Sequence, residues 1–210
     1  MKILSILLSF TLTFFLIKFS IPIFKKNLQA KPTSRGMHYL PKPTGGGICF
    51  SLIISFLSLF NGFYLPIFSL PLSFISLVDD KYNLNRSIRY ITQVLFVLII
   101  YLYLSFNNQL FINYSNPILH FLTIILCIFI GTAIINFINF MDGIDGLVGG
   151  CFITIFFIIS ISGNSNFLIS FASLIAFIIF NWCPAKIFMG DSGSIFLGSL
   201  IVSYALIQKN

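Results

Sequence analysis

The sequence predicts an all-α, polytopic membrane protein of about eight transmembrane helices, built as a single domain. Two observations carry this. Hydrophobic residues make up 58% of the 210 residues and charged residues only 8%, against about 25% charge in ordinary soluble domains. The mean hydropathy is +1.02, and the apolar residues fall in long runs bounded by polar clusters. These values exclude a water-soluble globule, a disordered chain and a nucleic-acid module. The net charge of +7 is a topology signal, not a polyanion-binding one.

The spans follow in order. Residues 3–24 form an apolar run too long for a signal peptide and without a small-residue cleavage site, so they read as an anchor. A basic loop rich in Pro and Gly follows at 25–47. Runs at 48–65 and 66–78 form the next two spans, and a polar stretch from Asp79 leads to the run 88–104. A polar connector at 105–116 precedes the run 117–138. The loop from Asn139 leads to a tight hairpin of 147–161 and 167–180, and a last loop at 181–193 opens the final run, 194–207.

Counting crossings puts the loops at 25–47, 79–87, 139–146 and 181–193 on one side. Nine of the 12 basic residues lie in or beside them: Lys25, Lys26, Lys31, Arg35, Lys42, Lys81, Arg86, Arg89 and Lys186. The positive-inside rule makes that side cytoplasmic, with both termini outside. One stretch strains the count. Only 31 residues, 48–78, must cross twice, and a span needs about 20. That pair must be short, or its flanking loops must dip into the membrane.

The acids are sorted. All five are Asp (Asp79, Asp80, Asp142, Asp145 and Asp191), and all fall in three of the four cytoplasmic loops. Carboxylates kept beside a bilayer are costly and usually bind something. Converging Asp near Lys and Arg suit Mg²⁺ and phosphate, because Mg²⁺ is commonly held by one or two carboxylates plus substrate phosphates. The cysteines (Cys49, Cys127, Cys151, Cys183) show no paired spacing; they read as packing residues, with neither a disulfide framework nor a zinc site.

Four strings carry the chemistry. The first runs Pro32-Thr-Ser-Arg-Gly-Met-His38, then Pro41-Lys-Pro-Thr-Gly-Gly-Gly47. Gly45, Gly46 and Gly47 leave backbone N–H groups open to a phosphate, with Lys42 and Arg35 adding charge; a plain basic loop is the alternative. The second is Asp79-Asp80, two adjacent carboxylates that repel unless a cation or proton sits beside them. One can ligate a metal while the other acts as a base. Arg89 and Gln93 follow on one helix face, and Arg89 can reach a phosphate or snorkel to the interface.

The third string, Asn136-Phe-Ile-Asn-Phe-Met-Asp-Gly-Ile-Asp-Gly-Leu147, is the strongest. Asn136 and Asn139 share a helix face, and Asp142 and Asp145 repeat the spacing. A polar ladder of this kind needs partners. The fourth is Asn181-Trp-Cys-Pro-Ala-Lys-Ile-Phe-Met-Gly-Asp-Ser-Gly-Ser194. Here Asp191 opens a helix as a metal carboxylate would, and Phe188 can stack on a base. His120 and Trp182 read as interface residues.

These strings, with Ser76-Leu-Val-Asp-Asp80, resemble the polyprenyl-phosphate N-acetylhexosamine-1-phosphate transferases, the glycosyltransferase 4 family, in order along nearly the whole chain. That family includes the peptidoglycan translocase and the initiators of O-antigen and teichoic-acid synthesis. Pro32, Arg35, His38, Pro41, Pro43 and Gly45–Gly47 resemble the O-antigen or exopolysaccharide branch, although Thr44 stands where that branch commonly has Arg. The resemblance implies transfer of a sugar-1-phosphate from a UDP-N-acetylhexosamine to polyprenyl (undecaprenyl) phosphate, with release of UMP and a need for Mg²⁺ or Mn²⁺. It implies Asp191 as principal metal ligand with Asp142 beside it, and Asp79 as base or phosphate-orienting carboxylate, supported by Asp80. Asn136, Asn139 and Asp145 would shape the nucleotide site, with Phe188 near the uracil. Lys42, Gly45, Gly46 and Arg89 would contact the nucleotide sugar or its phosphates. Direct attack by the lipid phosphate and a covalent aspartyl route both remain open. The implied setting is the bacterial inner membrane with a cytoplasmic site, and a homodimer is compatible with it. Family members are longer and carry a further cytoplasmic His- or Arg-rich loop, so the C-terminal part of the family fold is expected to be missing here. A truncated, inactive relative and a divalent-cation transporter are the alternatives weighed. The transporter fits poorly, because the acids cluster at loops and no internal repeat is visible.

Overall fold

The structure, a computed structural model, describes residues 2–30, 41–110 and 116–207. Among these residues the elements are α1 (Lys2–Asn27), β1 (Gln29–Ala30), β2 (Lys42–Pro43), α2 (Gly47–Phe60), α3 (Leu65–Tyr82), α4 (Arg86–Phe106), α5 (Pro117–Met141), α6 (Leu147–Ile161), α7 (Phe167–Asn181) and α8 (Asp191–Ala205). The described residues are helical apart from a short antiparallel pairing, Gln29 with Pro43 and Ala30 with Lys42, and an isolated bridge between Leu110 and Ile207. The sequence reading did not include that pairing. Arg35 and His38, named above, lie outside the described residues.

Local chemistry sets the helix ends. Asn85 and Asn116 cap α4 and α5, their side-chain oxygens accepting from the Ser87 and Ile118 N–H groups at 3.3 and 2.9 Å. Pro117 then occupies the first turn of α5. α3 ends at Asn83, in the left-handed conformation.

Three helices, α1, α4 and α5, are long and apolar enough to cross a bilayer. α2, α6 and α7 are apolar but shorter. The surface agrees with a lipid solvent: Ile118, Phe121, Leu122, Ile125, Leu126 and Phe129 form a continuous exposed apolar face on α5. α8 lies at the centre, with Ser192–Leu200 buried throughout, and packs against α2, α3 and α5. α1 packs on α7, and α7 on α6.

Lipid offers no hydrophobic drive between helices, so small residues and hydroxyls join them. The Ser9 hydroxyl donates to the Ile169 carbonyl at 2.7 Å, and Thr13 pairs with Ser173 at 2.6 Å, tying α1 to α7. Ser51 of α2 pairs with Ser73 of α3 at 2.8 Å, and Ser73 donates to the Ser192 carbonyl of α8 at 2.8 Å.

Several boundaries differ from the sequence reading. α3 carries Asp79 and Asp80 in its last turn, so these acids are helical, not in a loop. α4 starts early enough to include Arg86. α5 runs past Asn139 to Met141, and α8 begins at Asp191 itself. Each extension carries a polar or charged residue, and hydropathy stops counting where a helix leaves the apolar layer while its backbone hydrogen bonds continue. The packing role expected of the cysteines holds for buried Cys49, whereas Cys151 and Cys183 are exposed; all four are free thiols.

Candidate active site

Two glycine-rich segments meet at one end of the bundle. The Phe188 N–H donates to the Pro43 carbonyl at 2.8 Å. The Gly46 and Gly47 N–H groups donate back to the Phe188 and Met189 carbonyls at 3.0 and 2.8 Å. The loop before α2 therefore runs beside the loop before α8, and the two helix N-termini converge. Gly47 and Gly193 touch backbone to backbone; a Cβ on Gly193 would stand 2.8 Å from the Gly47 Cα. Gly190 caps α8 at a φ of +72°, which suits glycine.

Asp80 faces this junction. Its Oδ2 is buried without a hydrogen-bond partner. A Cβ on Gly190 would lie 2.7 Å from that oxygen, 2.8 Å from Thr44 Oγ1 and 2.9 Å from the Gly45 nitrogen. Asp80 lies past the apolar run of α3. Burial, then the charge of Asp191, pushes its carboxyl up to about 7, while the Asp191 and Ser192 N–H groups at the α8 start pull the other way.

Arg89 of α4 reaches across to the other acids. Its Nη1 donates to Asp79 Oδ2 at 2.6 Å and to Asp191 Oδ2 at 3.4 Å. The other Asp79 oxygen accepts from the Leu84 N–H at 2.7 Å, so both oxygens of this buried carboxylate are engaged. Burial raises the Asp191 carboxyl, and the Arg89 charge and a hydrogen bond from Asn139 counter it.

The ladder on α5 finds partners on both sides. The Asn139 oxygen accepts from the Ser194 hydroxyl at 2.6 Å, while its amide serves Asp191. One turn earlier, Asn136 pairs with Gln93 of α4: its Nδ2 donates to Gln93 Oε1 at 2.6 Å, and Gln93 Nε2 returns a bond at 3.4 Å. Asn136, expected at the nucleotide, is thus engaged between helices.

A third group sits beside the junction. Lys42 Nζ lies 3.5 Å from Asp145 Oδ2 and 5.1 Å from the centre of the Phe188 ring. The same Asp145 oxygen accepts from the Ala185 N–H at 2.9 Å. Asp142 caps the end of α5. Burial raises its carboxyl well above the usual range, followed by the charges of Asp191, Asp80 and Asp145.

Among the described residues, no three of His, Cys, Asp or Glu come close enough to cage a metal ion by themselves. Mg²⁺ does not require such a cage, since one or two carboxylates with substrate phosphates suffice. The unpartnered Asp80 oxygen and its repulsion with Asp191 fit a hard cation. Asp80 and Asp191 are the pair these features favour; Asp142 feels their charge without making a direct bond to either.

The structure brings together Asp79, Asp80, Asp191, Arg89 and Asn139, with Lys42, Asp145 and Phe188 alongside. Sequence reasoning passed over three contributors. Thr44 was noted only as a departure from a motif. Ser194 enters the sequence analysis only as the last residue of its string. Asn181, whose side chain accepts from the Gly146 N–H at 3.1 Å and donates to the Ile187 carbonyl at 2.9 Å, was read only as part of its string. A buried amide at the foot of an apolar run was the available signal for Asn181.

Residues 62–209 match the model of glycosyl transferase family 4. A phospho-N-acetylmuramoyl-pentapeptide-transferase of Petrotoga mobilis is 33% identical over 93% of this chain and 73% of its own length. An undecaprenyl-phosphate alpha-N-acetylglucosaminyl 1-phosphate transferase of Thermotoga maritima is 29% identical over 87% of this chain and 58% of the relative. A probable undecaprenyl-phosphate N-acetylglucosaminyl 1-phosphate transferase of Bacillus subtilis is 27% identical over 84% and 54%. The chain thus spans between about half and three-quarters of the length of these curated relatives. With most of its length inside the family match, the chain belongs to glycosyl transferase family 4.

Proposed function

We propose that this site transfers an N-acetylhexosamine-type sugar-1-phosphate from a UDP-sugar to polyprenyl phosphate at the cytoplasmic face of a bacterial inner membrane, releasing UMP. The observation that carries the reading is the Arg89 bridge between Asp79 and Asp191 beside the unpaired Asp80 oxygen. Such a site, at the ends of apolar helices, meets a lipid phosphate from the bilayer and a soluble nucleotide from the cytoplasm.

In this reading an oxygen of the lipid phosphate attacks the phosphorus next to the sugar. The bond from that phosphorus to the UMP oxygen breaks, and UMP leaves with the bonding electrons. Arg89 holds and neutralises phosphate oxygens as charge develops. Asp79, with both oxygens engaged, orients Arg89. Little base is needed, since a phosphate monoester is mostly ionised near neutrality. Mg²⁺ (or Mn²⁺), held by Asp80 and Asp191, would supply the remaining charge neutralisation. Asn139 keeps Asp191 aimed, and Lys42, Asp145 and Phe188 bind the nucleotide, the ring stacking on the base. The Gly45 and Gly46 loop holds the α2 start against α8. Every residue named comes from one chain, so a homodimer is compatible with the chemistry but not needed for it.

We read the product as the first membrane-bound precursor of a cell-envelope glycan. The first-loop string supports an O-antigen or exopolysaccharide branch, and the relatives' names support the wider class.

The test supplies membranes carrying this chain with Mg²⁺, polyprenyl phosphate and a panel of radiolabelled UDP-N-acetylhexosamines. Label should enter the organic-extractable lipid, and Asp191→Asn should abolish it. Label that survives Asp191→Asn removes the metal assignment. UDP-sugar binding without label in any case removes the activity and marks an inactive relative.

A further inference from the structure

We propose that Gln93, a residue outside the reacting cluster, is a positioning residue that sets where Arg89 points; this rests on the phosphate-binding role just given to Arg89. Gln93 and Arg89 are one turn apart on α4, on the same face. Gln93 is buried and meets Asn136 of α5 through two hydrogen bonds between their side-chain amides, of 2.6 and 3.4 Å. Asn136 also donates to the Thr132 carbonyl at 2.8 Å, which holds its amide in one orientation.

Asn139, the next polar rung of α5, binds Ser194 and Asp191 of α8. The two rungs therefore index two different helices on one rigid rod. Asn136 sets the height of α4, and Asn139 sets the height of α8. Arg89 then closes the circuit from α4 to Asp191 at 3.4 Å. Near this level the α4–α5 contact is otherwise apolar: Val97 packs where Gly131 leaves room, and a Cβ on Gly131 would stand 3.0 Å from Val97 Cγ2. A paired buried amide adds to such packing a directional constraint that is met in one register only. The next polar contact between the helices, Tyr101 with His120 at 3.4 Å, lies two turns of α4 further on. It cannot by itself fix the rotation of the turn that carries Arg89.

The experiment reads Arg89 directly. The full chain in lipid nanodiscs is treated with phenylglyoxal, and peptide mass spectrometry follows modification at Arg89 and at Arg86. The variants are Gln93→Met, which keeps the shape without the amide, and the exchange Gln93→Asn with Asn136→Gln. Transfer kinetics are measured alongside. Gln93→Met should speed Arg89 modification several-fold with Arg86 unchanged. It should lower kcat about tenfold, the scale of one intramembrane hydrogen bond, with a smaller change in KM for the UDP-sugar. The exchange variant should restore slow labelling.

Unchanged Arg89 labelling in Gln93→Met overturns the proposal. So does equal acceleration at Arg86 with a lowered melting temperature, which would mark a packing role only. Failure of the exchange variant to restore protection also overturns it. If the unmodified chain transfers no label, the proposed activity fails while the arginine rates still decide the positioning role.

Discussion

Gly47 of α2 and Gly193 of α8 are in backbone contact, and this contact brings the two glycine-rich loops of the site together. It lies where the N-termini of two helices converge, close to Asp80. Neither glycine has room for a methyl group. A Cβ on Gly193 would meet Gly47 Cα at 2.8 Å and Phe50 Cζ at 2.9 Å, and one on Gly47 would overlap the Gly193 backbone.

Gly193→Ala should therefore separate the loops. Overpacking of this kind costs about 1–3 kcal/mol, and for a chain of this length each kcal/mol lowers Tm by about 2–4 °C. Thermal melting in detergent should show that loss, with transfer falling further than stability does. Gly143, with open space around it, should accept Ala with little effect and serves as the control.

Divalent cation should stabilise this chain through Asp80. Its unpartnered oxygen and its repulsion with Asp191 are relieved when a cation sits beside them. Mg²⁺ should raise Tm of the unmodified protein by several degrees. Asp80→Asn should melt higher than the unmodified protein without Mg²⁺, and should gain little on adding it. An equal Mg²⁺ shift in both proteins would place the cation elsewhere.

Arg89→Gln should lower transfer about 10²–10³-fold, the usual effect of removing a charged donor at a reacting phosphate. It also leaves the buried Asp79 with only its Leu84 N–H partner. Arg89→Lys should recover part of the rate, because a lysine keeps the charge but loses the planar guanidinium and its further N–H donors. Steady-state kinetics with varied lipid phosphate would report both.

Asn139→Leu should act at Asp191. It removes the amide that serves the carboxylate and the oxygen that accepts from Ser194. The Mg²⁺ concentration for half-maximal rate should rise about 10-fold or more, as for other residues that orient a metal ligand. Asn139→Leu with an unchanged Mg²⁺ requirement would detach it from the metal site.

Lys42→Ala should weaken nucleotide binding and leave the lipid phosphate unaffected. Lys42 stands over the Phe188 ring and beside Asp145, away from Arg89. KM for the UDP-sugar should rise about 3–10-fold, in line with one half-buried cation–π and ion-pair contact. Calorimetry with UMP alone should show the same loss.

Much of the site was legible because membrane sequences are economical with charge. Asp79, Asp80, Asp142, Asp145 and Asp191 are all the acids the chain has, and their sorting to one set of loops marked the site. The glycines of both loops were legible for a similar reason. What they do was not. Gly47 was read as phosphate-cradling material, whereas its backbone packs against Gly193. Asn136 and Asn139 read as one polar face, yet they serve different helices. Periodicity gives the face a residue shares along its own helix, not the neighbour waiting there.

The sequence alone determined the solvent, the helical class and the family, because apolar runs and short motifs are local and survive without long-range contacts. Tertiary structure alone decided the partners. It paired Arg89 with carboxylates from two motifs, left one oxygen of Asp80 unpaired, and turned Asn136 away from the cluster to Gln93. Those outcomes depend on the height and rotation of α4 and α8 against α5. Helix register is set by small-residue contacts and buried amides between segments far apart in the chain.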